Sequence, residues 1–559
     1  MKNRNINIFL ICLCLAWQCW SSCKKAEIVT STTTDVNLVS YMRQNADAYS
    51  EFLKIIDKAG TTDYLNAYGH YTLFAPDNNA IKLYLEAKGG TIDKLTEEEA
   101  KNVVRFHLLD DTLYTTSFTD GKLTVPTMYG QYLITGTHND ASGVTRFQIN
   151  RQALVTFPNV RTGNGILHKI DHVLMPSVKT LAQTITDNAN YSIFKQALTE
   201  TGYMDTLSTL KYVNDTTPRW LTVMAESDAA LKAAGINSYS QLKAKYSNTG
   251  HPDRDNDSLR MFVGYHIVTD LKYLADIVSA PSHATLTPQE VITSKLKGQA
   301  ILLNDETFGG VYEPGVEIDR DKSDISATNG VLHELKGSIY IKVRKPVAVY
   351  FDVADQPELR AQTSVFRKNG KNTVLSFGSL KDVTWSATAN NLTYYCDATS
   401  SANYHYYFDY ISLPNLRTAS GTVNWIEFKT PLLIKGKYKV WLCYRKTNYT
   451  GASVQATFDG TAMQKVINCT EYINTTQTDQ ELEAAGWKRY SGAPKSNSTQ
   501  CSRLLGTVDV LSTDRHSIRI IPIVDTRSEA ISIDMIHFIP VDDVQFLPRF
   551  GRDGTLIYQ

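Results

Sequence analysis

The chain has 559 residues, enough for several domains rather than one. Its 57 basic side chains balance 57 acidic ones and no basic run breaks the balance, so charge excludes a nucleic-acid footprint. No cofactor is expected from its composition or motifs.

The first stretch reads as an export signal. Lys2 and Arg4 precede a short apolar run from Ile6 to Trp17, which is too short to span a bilayer comfortably. Trp20-Ser21-Ser22-Cys23-Lys24-Lys25 follows, and small residues just before a cysteine resemble a bacterial lipoprotein box. That resemblance implies a signal over 1–22, acylation of Cys23 and anchorage to a membrane, at about 0.8 kcal/mol per buried methylene. Residues 23–34, rich in Thr and Lys, read as a solvated tether.

Residues 35 to 58 carry helical period, with Leu38/Met42 and Phe52/Ile56 as four-apart pairs. Tyr71-Thr72-Leu73-Phe74-Ala75-Pro76 reads as a short buried strand, and Asp77-Asn78-Asn79 as the cap of a following helix. Residues 95 to 109 form another helical stretch, with Thr96 as cap and Glu98 or Glu99 near the box position. His107, among apolar neighbours, reads as a core histidine bonded to backbone rather than a ligand. Asn164-Gly165 is a turn, and Ile166-Leu167-His168-Lys169-Ile170 alternates as a strand toward Pro176.

The same order recurs. Leu221-Thr222-Val223-Met224-Ala225-Glu226 repeats the opening strand, with Glu226 where the first copy has Pro76. Tyr265-His266 repeats Phe106-His107, and Asn329-Gly330-Val331-Leu332-His333 repeats the closing turn and strand, 165 residues after the first. Both copies resemble the fasciclin domain, whose opening and closing motifs these stretches match. The resemblance implies two tandem α+β fasciclin-like domains, over 35–177 and 178–346, the second divergent. Asp77, His107, His168, His266 and His333 are then structural motif residues. In residues 246–257, Asp253, Asp255 and Asp257 imitate half of a calcium loop, but Ser258 and Gly264 stand where Gly and Glu are needed, so no metal is expected.

Beyond Val347 the composition shifts, with Trp385, Trp425, Trp441 and Trp487 all in this part. Strands are expected over 347–353, 423–429, 438–445, 517–524 and 531–540, and Lys437 to Arg445 alternates as an antiparallel strand with one dry face. With no helix–strand alternation, residues 347–545 read as an all-β sandwich. The segments WIEFKTPLLIKGKYKVWLCYR and HSIRIIPIVDTRSEAISIDMIHFIP resemble galactose-binding-like jelly rolls. Cys396, Cys443, Cys469 and Cys501 fit no zinc spacing, and disulfides among them are possible in an exported chain. The tail, 546–559, is either a docking segment or a closing edge strand.

No nucleophile elbow, phosphate loop or zinc helix is present, and no carboxylate pair stands out, so catalytic residues are not expected. The dense aromatic stretch is the better signal. Trp385, Tyr394, Tyr395, Tyr404, Tyr406 and Tyr407 offer flat apolar faces with polar tips, which suit sugar rings. The competing account of each is a core aromatic. The chain's build resembles cell-envelope lipoproteins of the Bacteroidota. That resemblance implies a non-enzymatic protein, lipid-anchored to the outer membrane at the cell surface, that binds glycans or docks proteins. Its partners would be a glycan ligand and an outer-membrane transporter of a SusC/SusD-type uptake system, or another envelope protein. The alternatives are a fasciclin-type adhesin and, third, a glycosidase-like enzyme.

Overall fold

The computed structural model describes residues 36–559 apart from 68, 140–142, 215–216, 387–389, 414–415, 419–421, 447–452 and 524–530. The expected signal, Cys23 and the tether lie outside the described residues. No described helix is long and apolar enough to cross a membrane. The chain divides into two compact units, one ending at Pro176 and the other beginning at Ser177.

In the first unit the expected helix over 35–58 is two helices, Leu38–Gln44 and Ala46–Lys58, broken where Asn45 leaves helical geometry. Their apolar faces close over the strand Tyr71–Pro76, whose six residues are all buried. That strand ends at the cap, where the Asp77 side chain accepts from Ala80 N at 2.9 Å. Thr96 and Glu99 form the capping box of the helix Glu97–His107. Tyr71–Pro76 runs parallel to Gly165–Ile170, in a seven-stranded sheet that is otherwise antiparallel. The first and last motifs are therefore neighbours in space.

The second unit opens with the same construction. Leu221–Glu226 pairs in parallel with Gly330–Leu335, with Leu221 opposite Gly330 as Tyr71 is opposite Gly165. The Asn-Gly turns explain themselves. Asn164 Oδ1 accepts from Leu38 N at 2.9 Å, and its amide nitrogen donates to the carbonyls of Leu65 and Ala67. Asn329 does the same for Leu181 N and the Leu207 carbonyl. A Cβ on Gly165 or Gly330 would collide with the carbonyl oxygen of Tyr71 or Leu221, so only glycine admits the neighbouring strand. Downstream, Arg344 makes a two-pronged pair with Glu313 at 2.9 and 2.8 Å, fastening the segment that leads to the third region.

The third region has two antiparallel sheets. One runs in the order Asn372–Leu375, Leu392–Cys396, Asp409–Leu413, Ile531–Pro540, Gly436–Arg445, Gln500–Val510 and Trp487–Lys488, with Val349–Asp352 also on Ile531–Pro540. The other runs Val383–Trp385, Ile426–Leu433, Asp514–Pro522, Ser453–Phe458 and Thr461–Asn468. Their inner faces pool into one core, with Tyr438, Val440 and Leu442 from the first sheet and Phe428, Ile518 and Ile520 from the second.

One expectation needs correction here. The strand Gly436–Arg445 is not dry on one face only, because Trp441 and Cys443 on its other face are also buried. Trp441 Nε1 donates to Gln545 Oε1 at 3.0 Å, while Cys443 packs with Tyr490, Met535 and Phe550. Residues after the last long strand fold back over this face, which alternation within the strand could not reveal.

Candidate ligand cleft of the β region

The aromatic stretch forms a tight loop rather than a flat surface. Within the short turn Tyr406–Phe408, Tyr407 and Phe408 have φ of 53° and 64°. They are the only aromatic side chains on left-handed backbone among the described residues. Each such residue costs on the order of 1–3 kcal/mol, so the surroundings must impose it. His405 supplies one constraint: it is buried, pairs with Asp397 Oδ2 at 2.8 Å and packs on Tyr410. Asp534 supplies another, its Oδ2 accepting from Tyr406 N at 3.0 Å and from Tyr490 Oη at 2.7 Å.

Arg367 organises what the loop presents. Its guanidinium lies 3.6 Å from the Tyr407 ring centroid, donates to Asp352 Oδ2 at 2.9 Å and stands 3.5 Å from Asp409. Its own φ is 53°, and its backbone N–H donates to Tyr394 Oη, which donates onward to Asp409 Oδ2. Two buried carboxylates, Asp352 and Asp409, thus share one cation, with Asp534 close enough to interact with both. Burial is the main cause of the rise in all three. It lifts Asp352 to about 7, with Asp355 adding and Arg367 opposing, and Asp409 to about 8, with Asp352 adding. Asp534 is raised well above the ordinary carboxylate value by burial and by Asp352.

Beside this cluster is a cleft of about 450 Å³. Asp352, Asp355, Arg360, Arg367, Tyr406 and Tyr407 wall one side, and Lys429 and Arg515 of the opposite sheet, with Asp382, wall the other. Its guanidinium groups come paired with carboxylates, Arg360 with Asp355 at 2.5 Å and Arg515 with Asp382 at 2.7 Å. Such a wall alternates strong donors and acceptors beside two aromatic rings. A larger hollow of about 970 Å³ lies in the first unit. Its lining lysines and glutamates, such as Lys54 with Glu51 and Lys82 with Glu86, are solvated surface pairs, and nothing there converges on a ligand.

The predicted residues divide sharply. Tyr406 and Tyr407 line the cleft. Tyr404 sits beside them under Arg552, 5.0 Å from its guanidinium. Trp385 and Tyr394 are corrected to core positions, because their strands turn them inward. Trp385 Nε1 donates to the Asn390 carbonyl. Tyr395 follows Tyr394 and so points to the opposite face, where it stacks on Tyr410. The possible disulfides are not formed: Cys396, Cys443, Cys469 and Cys501 are free and buried. Burial pushes the Cys396 thiol up to about 11 and that of Cys501 up to about 12. Of the imitation calcium loop, Asp257 caps the next helix and accepts from Ser247 and Thr249, while Asp255 pairs with Arg260.

The sequence reading missed Asp352, Arg367, Asp409 and Asp534. One signal was available: Asp534 stands, with Ser532 and His537, in a mostly apolar strand, Ile531–Pro540, and a buried acid there asks for an explanation. In the fasciclin copies the named residues have backbone duties. His107 Nδ1 donates to the Val103 carbonyl and Nε2 accepts from Leu174 N. His168 Nε2 donates to the Leu113 carbonyl and Nδ1 accepts from Asn159 N, as His333 does with Lys272 and Asp324. His266 Nδ1 meets the Phe262 carbonyl, but its Nε2 meets Glu226 Oε1 at 2.8 Å, and Glu226 in turn accepts from Ile339 N.

Comparison with known proteins bears on the first two regions. The transforming growth factor-beta-induced protein ig-h3 of Sus scrofa is 26% identical over 175 residues, which are 30% of this chain and 24% of that protein. Periostin of Homo sapiens is 28% identical over 121 residues, 21% of this chain and 13% of that protein. The chain thus spans a quarter or less of the length of these curated relatives. The solved FAS1 domain pair of the insect cell adhesion molecule fasciclin I is 16% identical, with a TM-score of 0.24, over 53% of this chain and 98% of that one. The fasciclin domain profile matches residues 47–176 and 189–340, together half of the sequence, and the chain belongs to the fasciclin domain family.

Proposed function

We propose that the chain is a non-enzymatic, exported lipoprotein that captures glycans in the cleft beside Tyr406 and Tyr407, with the fasciclin pair acting as stalk or interaction unit. The observation that carries this reading is the Tyr407 ring, fixed on strained backbone over Arg367 in a cleft edged by Arg–Asp pairs. Aromatic faces suit the apolar side of a sugar ring, and paired guanidinium and carboxylate groups suit its hydroxyls. Asp409 and Asp534, whose raised pKa values would otherwise suit acid catalysis, have no exposed surface, and Asp352 on the cleft wall is tied to Arg367, which favours capture over hydrolysis. A galactose-binding-like ancestry for the β region, anchorage through Cys23 to the outer membrane and service to a SusC/SusD-type transporter complete the proposal.

The test is retention of the full chain on a glycan array and in polysaccharide-containing gels. Specific, saturable retention lost in a Tyr404→Ala, Tyr406→Ala, Tyr407→Ala triple variant supports it. Failure across a broad panel sinks it, and turnover of any polysaccharide would replace it with an enzyme. The second reading, an adhesin working through its fasciclin domains, draws on family membership. It predicts cell attachment that survives the triple Tyr change.

A further inference from the structure

Residues 546–559 fold back onto the β region. Phe550 N donates to the Tyr490 carbonyl at 2.8 Å, Gly492 N donates to the Phe550 carbonyl at 2.7 Å, and Arg549–Phe550 pairs with Leu556–Ile557 in a small hairpin. Each side chain on its inner face meets the cleft loop. Phe550 is buried edge-on to Tyr406 at 5.1 Å. The Arg552 guanidinium covers Phe408 at 4.3 Å and reaches the Ser401 carbonyl at 3.0 Å. Gly554, with φ of 87°, lies against Tyr407 so closely that a Cβ would overlap the ring. Tyr407 is thereby held between Arg367 and Gly554.

We propose that this C-terminal hairpin is the positioning element of the cleft, and that Gly554 is the residue that lets Tyr407 lie on Arg367. Its purpose rests on the glycan reading above; its geometry does not. Phe550 and Arg552 set the loop from behind, and Gly554 leaves the space the ring occupies. The hairpin touches no ligand in this scheme and acts through the loop from Tyr404 to Phe408.

The test separates ring placement from backbone strain and from general folding. Gly554→Asn adds a Cβ while tolerating positive φ better than most side chains. It is made in the full chain, alone and with Tyr407→Ala. Hydrogen exchange at amides 404–408, without glycan, is read beside migration in gels carrying mannan, xylan or polygalacturonate. We expect faster exchange at 404–408 with the sheets still protected, and ~tenfold weaker retention in whichever gel slows the parent chain. That loss should vanish in the Tyr407→Ala background. Arg552→Ala, which adds no atoms, should loosen the same amides to a lesser degree. Unchanged exchange in both variants would overturn the proposal, as would an equal loss of retention with and without Tyr407. Should no gel slow the parent chain, the glycan reading falls while the exchange data still decide the positioning role.

Discussion

Each of the four motif histidines in the two fasciclin domains has a partner for both ring nitrogens, whereas in the β region two buried carboxylates share one guanidinium. In the fasciclin domains the histidines close backbone gaps, although Glu226 Oε2 is left without a hydrogen-bond partner. Around Arg367 the carboxylates repel one another, Asp409 Oδ1 and Asp534 Oδ1 have no hydrogen-bond partner, and three residues stand on left-handed backbone. Satisfied polar groups of the first kind secure a fold. The second kind is what a fold tolerates where it presents a surface to something else.

The largest effect should come from the fasciclin side. His266→Ala leaves Glu226 buried without its partner and should cost about 3–5 kcal/mol, read as lost exchange protection at Ile339. Opposite pH slopes come next. His107 and His168 are each pulled down to about 4 by burial, so the stability they lend is present above about 6.5 and is lost as pH falls through 4. Asp352 and Asp409 are pushed the other way. Their stabilisation is complete below about 4, where unfolded carboxylates hold their protons, and is lost as pH rises through about 7 and 8. Region-resolved exchange should therefore find the first unit failing in acid and the β region weakening in mild alkali. Equal slopes would dissolve the contrast.

His107→Ala should cost less than His266→Ala, about 1–3 kcal/mol, because it strands only the Leu174 amide. Comparable losses in chemical denaturation would mean that the His266–Glu226 contact adds nothing beyond the backbone bonds the two histidines share. The smallest change is expected from Asp534→Asn, within about 0.5 kcal/mol, because burial and Asp352 already favour the neutral carboxyl that the amide imitates. Its distinguishing mark is a shallower alkaline loss of the β region's melting temperature.

The fasciclin copies were legible because their determinants are short strings. Asn-Gly must staple a helix and admit a strand at once, and both jobs fall on adjacent residues. Five strands of the β region were found within a few residues, Ile531–Pro540 announcing itself by composition, whereas others such as Ser453–Phe458 and Gln500–Val510 were not singled out. The cleft was not legible. Asp352, Arg367, Tyr407 and Asp534 come from separate segments, and only the sheet order brings them together. Trp385 and Tyr394 misled because composition cannot say which face of a strand is wet. The covered outer face of Gly436–Arg445 depends on a tail a hundred residues further on.

The parallel pair at the heart of each fasciclin domain joins its opening strand to its closing one, and tandem copies with that topology carry a hazard during folding. The opening strand of one copy has two candidate mates on the same chain, its own and its neighbour's, and mispairing between tandem domains is a common route to misassembly. Glu226 works against this exchange. Its buried carboxylate is accommodated only where His266 and the Ile339 amide wait for it, whereas Pro76 offers no such group to accommodate. Placed in the first sheet, the strand carrying Glu226 would bury that carboxyl away from His266 and the Ile339 amide, a mismatch that disfavours this one exchange.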